Sequence, residues 1–243
     1  LGQPESLLPL IRPYFLIQLS GILIIMLYNS FKQFSDGIMD TRSPMYILTG
    51  GILFNILGNY LLIYGKAGLP ELGLTGAGLS TLVSRFFILM AFLILFFCTS
   101  RYKRYRHGLL RLSAGKVRLQ QLKNIGLPIA LQMSMESGAF NLSVIMMGWI
   151  GPVALAAHQI VGTFTTIGFM LYYGIGSAVA ILISNQNEQT DSKKIRDTAD
   201  AGFHLILLIA LTITLLMMIL RHRIGLIFTD SPEINTLVGL LIL

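Results

Sequence analysis

Six long apolar runs separated by short polar turns constrain the fold of this chain more than any other feature. Each run is about as long as the ~20 residues with which an α-helix crosses the hydrocarbon core of a bilayer. In lipid, the backbone satisfies its hydrogen bonds within helices or closed barrels. The sequence therefore predicts an all-α polytopic transmembrane helical bundle. The predicted spans are 10–34, 44–64, 73–98, 125–149, 153–183 and 199–220, and a seventh begins near Pro232.

The composition and the placement of charge support a membrane protein. Of the 243 residues, 54% are hydrophobic and 12% are charged, whereas soluble domains are about 25% charged. Many of the 18 basic residues lie in the stretch 101–123, which contains no acidic residue. The positive-inside rule makes this stretch cytoplasmic. Because topology explains the net charge of +7, we expect no nucleic-acid partner.

The order of the spans predicts two pseudo-repeat bundles, a common plan in transporters. Pro4-Glu5 before the first span and Pro232-Glu233 before the last form a short internal echo. We expect 1–100 to be the latter half of an N-terminal bundle with three spans. A cytoplasmic linker is expected at 101–124, and the first part of a C-terminal bundle at 125–243. The chain reads as an excerpt of a longer protein with about twelve spans.

Five short motifs occur along the chain and carry a resemblance to a known family. They are Asp40–Pro44, Asn55–Gly65, Gly76–Thr81, Gly126–Ala130 and Ala156–Ile160. In content and order they resemble the multidrug and toxic compound extrusion (MATE) family. Met39 stands where the first motif usually has glycine. The resemblance implies a chain that runs from the fourth span to the start of the tenth.

The resemblance also implies a function. It predicts a monomeric antiporter, not an enzyme, in the bacterial inner membrane and in contact with membrane lipid. Such an antiporter exports drug-like or toxic organic compounds by alternating access and uses Na⁺ or protons as coupling ion without a further cofactor. A cytoplasmic position of the linker 101–124 agrees with this topology.

Glu136 is the most informative single residue, because it lies near the middle of an apolar run. An ionised carboxylate there costs about 3 kcal/mol on insertion scales, so it holds a proton unless a cation replaces that proton. Gln132 and Ser143 share its helix face. Either Glu136 exchanges a proton or Na⁺ during transport, or it stays protonated and hydrogen-bonded between helices. The resemblance implies the first role, since some sodium-coupled members have a cation-site glutamate here.

Two asparagines on the second predicted span form a further candidate site. Asn55 and Asn59 are spaced i, i+4, so their amides lie on one helix face. Such amides bridge helices or ligate a cation. The resemblance implies a cation or proton network in the first bundle, to which Thr81 on the third span is a weaker candidate. Some members have aspartate where Asn59 stands.

A polar face on the fifth predicted span is a candidate substrate cavity. We expect Gln159, Thr163, Thr166 and Tyr173 of this face to line the cavity together with Gln132 of the fourth predicted span. Helix packing is the equal alternative, because threonine hydroxyls also bond back to their own helix.

Two rival functions follow from other classes of membrane protein. A lipid-linked oligosaccharide flippase of the same superfamily requires a cationic cavity, and Arg85 is the basic residue well inside a span. Arg85 either pairs with an acid outside this chain or extends toward the cytoplasm. An intramembrane enzyme requires a nucleophile with a base, or two acids, at membrane depth, whereas Glu136 is a single acid.

Overall fold

The computed structural model describes residues 8–68, 70–110, 115–186 and 192–242. Within these ranges the chain is helical and contains no strand, which confirms the all-α prediction. Short 3₁₀ turns follow α4 and α8. The helices are α1 (Leu8–Ser20), α2 (Ile22–Gly37), α3 (Arg42–Ile63), α4 (Gly73–Cys98), α5 (Lys103–Leu110), α6 (Lys116–Ile150), α7 (Pro152–Ser184), α8 (Ser192–Ile224) and α9 (Pro232–Leu241).

Five of the six predicted spans coincide with helical stretches that are long and apolar enough to cross a membrane. The remaining predicted span, 125–149, lies within α6, which has 35 residues. This helix is not one of the five apolar stretches. Gln132, Glu136 and Asn141 lower its hydropathy, so length alone qualifies it as a span. The five stretches in the described residues are Arg12–Gly37, Arg42–Ile63, Gly73–Cys98, Pro152–Ser184 and Ser192–Arg221.

The chain divides into two compact units, Leu1–Leu112 and Ser113–Leu243. Unit 1 holds α1 to α5, and unit 2 holds α6 to α9. Much of the expected linker is helical, since α5 and the start of α6 lie within 101–124. Residues 111–114 of that linker, and Pro4-Glu5 of the internal echo, lie outside the described residues. The assignment of the two units to repeated bundles stays a prediction.

Helix α4 organises unit 1, because it packs against α1, α2 and α3. Its buried face carries Ile88, Leu89, Phe92 and Phe96. Phe96 meets Phe31 of α2 edge-on, with ring centroids 5.5 Å apart, an arrangement that the quadrupoles of the two rings favour.

Helix α7 organises unit 2, where it packs against α6, α8 and α9. Its buried residues Ala157 and Ile160 form a core with Ile224 and Val238. The preceding turn is tight, because Gly151 has φ +147°, a conformation open to glycine. Pro152 then begins α7 at a position where proline's missing N–H costs no hydrogen bond. After this turn, α7 runs back along α6, antiparallel to it.

The turn between α2 and α3 contains the first motif and is held by Asp40. Ser43 Oγ donates to this carboxylate, at 3.0 and 2.9 Å from its two oxygens. Tyr102, which is 1% exposed, donates its phenolic hydrogen to Asp40 Oδ2 at 2.9 Å and lies 3.0 Å from Ser35 Oγ. Arg101 Nη1 is 3.8 Å from Asp40 Oδ1. The motif therefore attaches the segment after α4 to the turn.

Burial and hydrogen bonding act in opposite directions on Asp40. Desolvation alone raises its pKa, but the hydrogen bonds from Ser43 and Tyr102 and the charge of Arg101 outweigh it, so the net pKa is lowered. Burial is the largest cause of the raised pKa of Tyr102. The carboxylate is thus the stable form of Asp40 in this turn.

Candidate functional site

A cavity of about 570 Å³ lies between α6 and α7 in unit 2, and Glu136 is on its wall. Four residues singled out from the sequence line it: Glu136, Gln159, Thr163 and Thr166. The structure adds Met133, Ser137, Phe140, Val144, His158, Val161, Gly162, Thr165 and Phe169. The cavity is therefore mainly apolar, with convergent polar side chains, as is common for small-molecule sites.

The antiparallel register of α6 and α7 fixes which polar groups lie at the level of Glu136. Counted from the turn at Gly151, one residue of α6 and one of α7 at equal distances lie side by side, since both helices rise about 1.5 Å per residue. Glu136 is then level with Thr165 and Thr166. In the described residues its carboxylate has no hydrogen-bond or ion-pair partner.

The threonine hydroxyls on this wall donate their hydrogens within their own helix. Thr163 Oγ1 donates to Gln159 O at 2.9 Å, Thr165 to Val161 O at 3.0 Å, and Thr166 to Gly162 O at 2.8 Å. The back-bonding considered from the sequence is therefore present. It does not remove these residues from the site, because each hydroxyl oxygen keeps lone pairs that accept from a donor or ligate a cation.

Two residues predicted for the cavity lie beyond the end that is farther from the Gly151 turn. The cavity ends on α6 at Met133 and on α7 at Phe169, and neither Gln132 nor Tyr173 contributes to its wall. Tyr173 lies one helical turn past Phe169 and stacks on that ring, with centroids 6.0 Å apart. Helical spacing placed both residues on a face, but the cavity covers a limited length of that face.

The structure brings the three predicted unit 1 residues together between α3 and α4. Asn59 Nδ2 donates to Asn55 Oδ1 at 3.2 Å. Asn55 Nδ2 lies 3.4 Å from Thr81 Oγ1 and 3.4 Å from Ser80 Oγ. The sequence did not single out Ser80, which is 2% exposed and donates to Asn55 O at 3.1 Å.

Close packing of α3 on α4 makes this network compact. A Cβ atom at Gly58 would lie 2.5 Å from Ser80 Oγ, so the absence of a side chain there lets Ser80 reach the α3 backbone. One acceptor is left over, because the buried Asn59 Oδ1 has no hydrogen-bond partner in the part of the chain that the structure describes. An unsatisfied buried amide oxygen is costly and suits an incoming donor or cation.

Arg85 lies against the break between α1 and α2. A Cβ atom at Gly21 would be 2.7 Å from Arg85 Nη1, so the guanidinium occupies the space that the glycine leaves. In the part of unit 1 that the structure describes, Arg85 forms no salt bridge. The contact with this helix break was not visible from the sequence, since it joins residues of two different spans.

Comparisons with known proteins match this chain to one transporter family. The family model described as MatE matches residues 1–61 and 128–242. A probable multidrug resistance protein NorM from Photorhabdus laumondii subsp. laumondii is 32% identical over 89% of this chain and 48% of its own length. A probable NorM from Mannheimia succiniciproducens is 29% identical over 100% of this chain and 52% of its own length. The multidrug resistance protein NorM of Vibrio cholerae serotype O1 is 30% identical over 90% and 48%.

The chain thus spans about half the length of the curated relatives that it matches. The family match and the five apolar helices together support a multi-pass membrane protein.

Proposed function

Because this chain belongs to the MatE family, we propose that it forms part of a cation-coupled antiporter that exports drug-like organic compounds. The relatives at about 30% identity are named as multidrug resistance proteins, which supports transport rather than enzymatic chemistry. The proposed location is the bacterial inner membrane, with the linker 101–124 in the cytoplasm.

The observation that carries the proposal is the unpartnered carboxylate of Glu136 in the cavity between α6 and α7. An intramembrane acid is costly without a compensating charge. The hydroxyl oxygens of Thr165 and Thr166 lie at its level, and hard cations prefer such oxygen ligands. Glu136 therefore binds either a proton or a Na⁺ ion, and transport exchanges that ion for the organic substrate.

Coupling requires that the cation bind the two orientations of the transporter unequally, since equal affinity shifts no equilibrium. A carboxylate meets this requirement when one orientation exposes it to outer water and the other encloses it. Occupation of Glu136 then favours the orientation from which the substrate leaves. Met133, Phe140 and Phe169 offer apolar surface for that substrate in the same cavity, and methionine adapts to ligands of varied shape.

The network of unit 1 is assigned a supporting role in cation binding. Asn59 Oδ1 is the acceptor that a cation or donor satisfies. Asn55 holds the Asn59 amide, and Thr81 in turn holds the Asn55 amide. These groups are neutral at every physiological pH. The charge that drives the exchange is therefore placed at Glu136.

Efflux from vesicles of the full-length protein tests the proposal. Ethidium transport is measured with a Na⁺ gradient alone, with a pH gradient alone, and with ATP but no ion gradient. We expect transport with at least one ion gradient and none with ATP alone. Gradient-independent release, or ionic currents far above any turnover rate, would show a channel or another class of protein instead.

A further inference from the structure

The cavity between α6 and α7 has a second titratable wall residue, His158. The order of its lining residues shows how the cavity runs. Met133 and Phe169 lie at the end far from the turn at Gly151, and Val144 and His158 lie at the end near it. Glu136 is between these ends, about 12 Å farther from the turn than His158 at a rise of about 1.5 Å per residue.

The rotation of α7 is fixed by its opposite face. Ala157 is 0% exposed and Ile160 is 8% exposed, and both pack into the core with Ile224 and Val238. The residues between them, His158 and Gln159, are thereby directed to the α6 side, where they line the cavity. The imidazole is thus held at the mouth by the packing of the unit.

Glu136 and His158 are the titratable side chains on this wall in the described residues. The charged groups described on α8 and α9 do not line this cavity. Arg223 lines a separate cavity with Phe164, and Arg221 and Asp230 line another with Pro232. Glu233 begins α9. Among the described residues, Glu136 is therefore the charged partner on which a change of charge at His158 acts in the cavity.

We propose that His158 is an electrostatic gate at the outer mouth of the Glu136 site. This inference rests on the antiporter proposed above and on the predicted orientation, which puts the Gly151 turn outside. The imidazole side chain ordinarily changes charge between pH 5 and 8. Neutral His158 lets a cation reach Glu136, whereas its protonated form opposes cation binding there. At about 12 Å and an effective dielectric of about 20, one charge changes cation affinity about tenfold.

The test compares three variants of the full-length protein in vesicles: His158→Gln, His158→Lys and, as a control, His204→Gln. His204 lies on α8, is exposed, and contacts Asp200 O at 2.6 Å. Ethidium efflux is recorded at external pH 5.5 and pH 8 while the driving cation is titrated. The readout is the half-saturating concentration of that cation, or the half-maximal external pH if protons drive transport.

We expect His158→Gln to lower the half-saturating Na⁺ concentration about tenfold at pH 5.5 and to leave it unchanged at pH 8. His158→Lys keeps the charge, so it raises that concentration about tenfold at pH 8. If protons drive transport, the lysine variant raises the half-saturating proton concentration about tenfold, because it adds a repulsive charge at the mouth. His204→Gln is expected to behave as the unmodified protein.

If the glutamine and lysine variants have the same half-saturating cation concentration as the unmodified protein at both pH values, the proposed gate is overturned. His158→Asn replaces His158→Gln if the latter fails to insert. A separate variant, Glu136→Gln, distinguishes failure of the antiporter site from failure of the gate. Coupled efflux that persists in Glu136→Gln would contradict the role of Glu136 itself. Efflux that is lost in Glu136→Gln but unchanged in the His158 variants would contradict the gate alone.

Discussion

The candidate networks of the two units solve the same problem, polar groups among apolar helices, in opposite ways. In unit 1, the Asn55 side chain hydrogen-bonds to Asn59, Thr81 and Ser80, and Ser80 also donates to the α3 backbone. In unit 2, Glu136 faces a cavity, and its carboxylate has no hydrogen-bond or ion-pair partner in the described residues. A neutral network that is nearly satisfied serves as a stable support. An unpartnered acid is suited to a partner that comes and goes.

This difference predicts different consequences of mutation. Changes in the unit 1 network remove hydrogen bonds and close packing, so they should lower the stability of the protein. Changes at Glu136 break no hydrogen bond or ion pair among the described residues, so they should alter transport at nearly constant stability. The following variants test that contrast.

The largest effect on stability is expected for Gly58→Val. A Cβ atom at this position would be 2.5 Å from Ser80 Oγ, so the valine side chain forces α3 and α4 apart at a cost of about 2 to 3 kcal/mol. The melting temperature of the full-length protein in detergent should fall by several degrees. The matched control is Gly50→Ala on the same helix, where a Cβ atom has open space. A Gly58→Val protein that melts like the control would contradict the close packing of the network.

Asp40→Asn is expected to have the next largest effect. The carboxylate accepts from Ser43 and Tyr102, and an amide replaces a charge-assisted acceptor with a weaker one, at a cost of about 1 to 2 kcal/mol. Asp230→Asn is the control, because Asp230 is exposed and loss of charge at an exposed carboxylate changes stability little. Equal melting temperatures for the two variants would remove the special role of the turn.

The pH dependence of the same turn follows from the lowered pKa of Asp40. A carboxyl whose folded-state pKa lies below its unfolded value stabilises the fold above that unfolded value, about pH 4. This contribution is lost as the pH falls through the folded value. Asp40→Asn should therefore lose less stability than the unmodified protein on acidification below about pH 4. Parallel melting curves of both proteins over that range would disprove the linkage.

The smallest effect, a gain, is expected for Met39→Gly. Met39 has φ +59°, a left-handed conformation that costs a non-glycine residue about 1 to 2 kcal/mol. Glycine removes this strain but adds freedom to the unfolded chain, so the net gain is about 0.5 to 1 kcal/mol. Met45→Gly, within helix α3, should instead destabilise by about 1 kcal/mol. A lower melting temperature in Met39→Gly would show that the methionine side chain contributes more than the strain costs.

Sequence reasoning located the helices well, because apolar runs of bilayer length have few alternatives in lipid. It also found the pairing of Asn55 with Asn59, since i, i+4 spacing alone puts two amides together. Ser80 was missed, because its contact with the Asn55 carbonyl depends on the register of α4 against α3. That register is set by Gly58, and no local pattern reveals it.

The cavity shows the same limit of periodicity. Spacing placed Gln159, Thr163, Thr166 and Tyr173 on one face of α7, but the cavity ends at Phe169, one turn before Tyr173. Where a cavity ends depends on the neighbouring helix, here at Met133 of α6. His158 and Thr165 entered the wall for the same reason, since their positions are meaningful only once α6 is aligned with α7. The resemblance of the first motif, which usually has glycine at the position of Met39, agrees with the left-handed backbone there.

The most direct test of the role of Glu136 is a paired measurement on Glu136→Gln in the full-length protein. Cation-driven ethidium efflux and the melting temperature are determined on the same preparation, with Glu71→Gln in an exposed loop as the control. We expect efflux to fall to the level of protein-free vesicles, the melting temperature to stay unchanged, and the control to transport normally. Efflux at the unmodified rate in Glu136→Gln would contradict the assignment of the coupling charge to this residue.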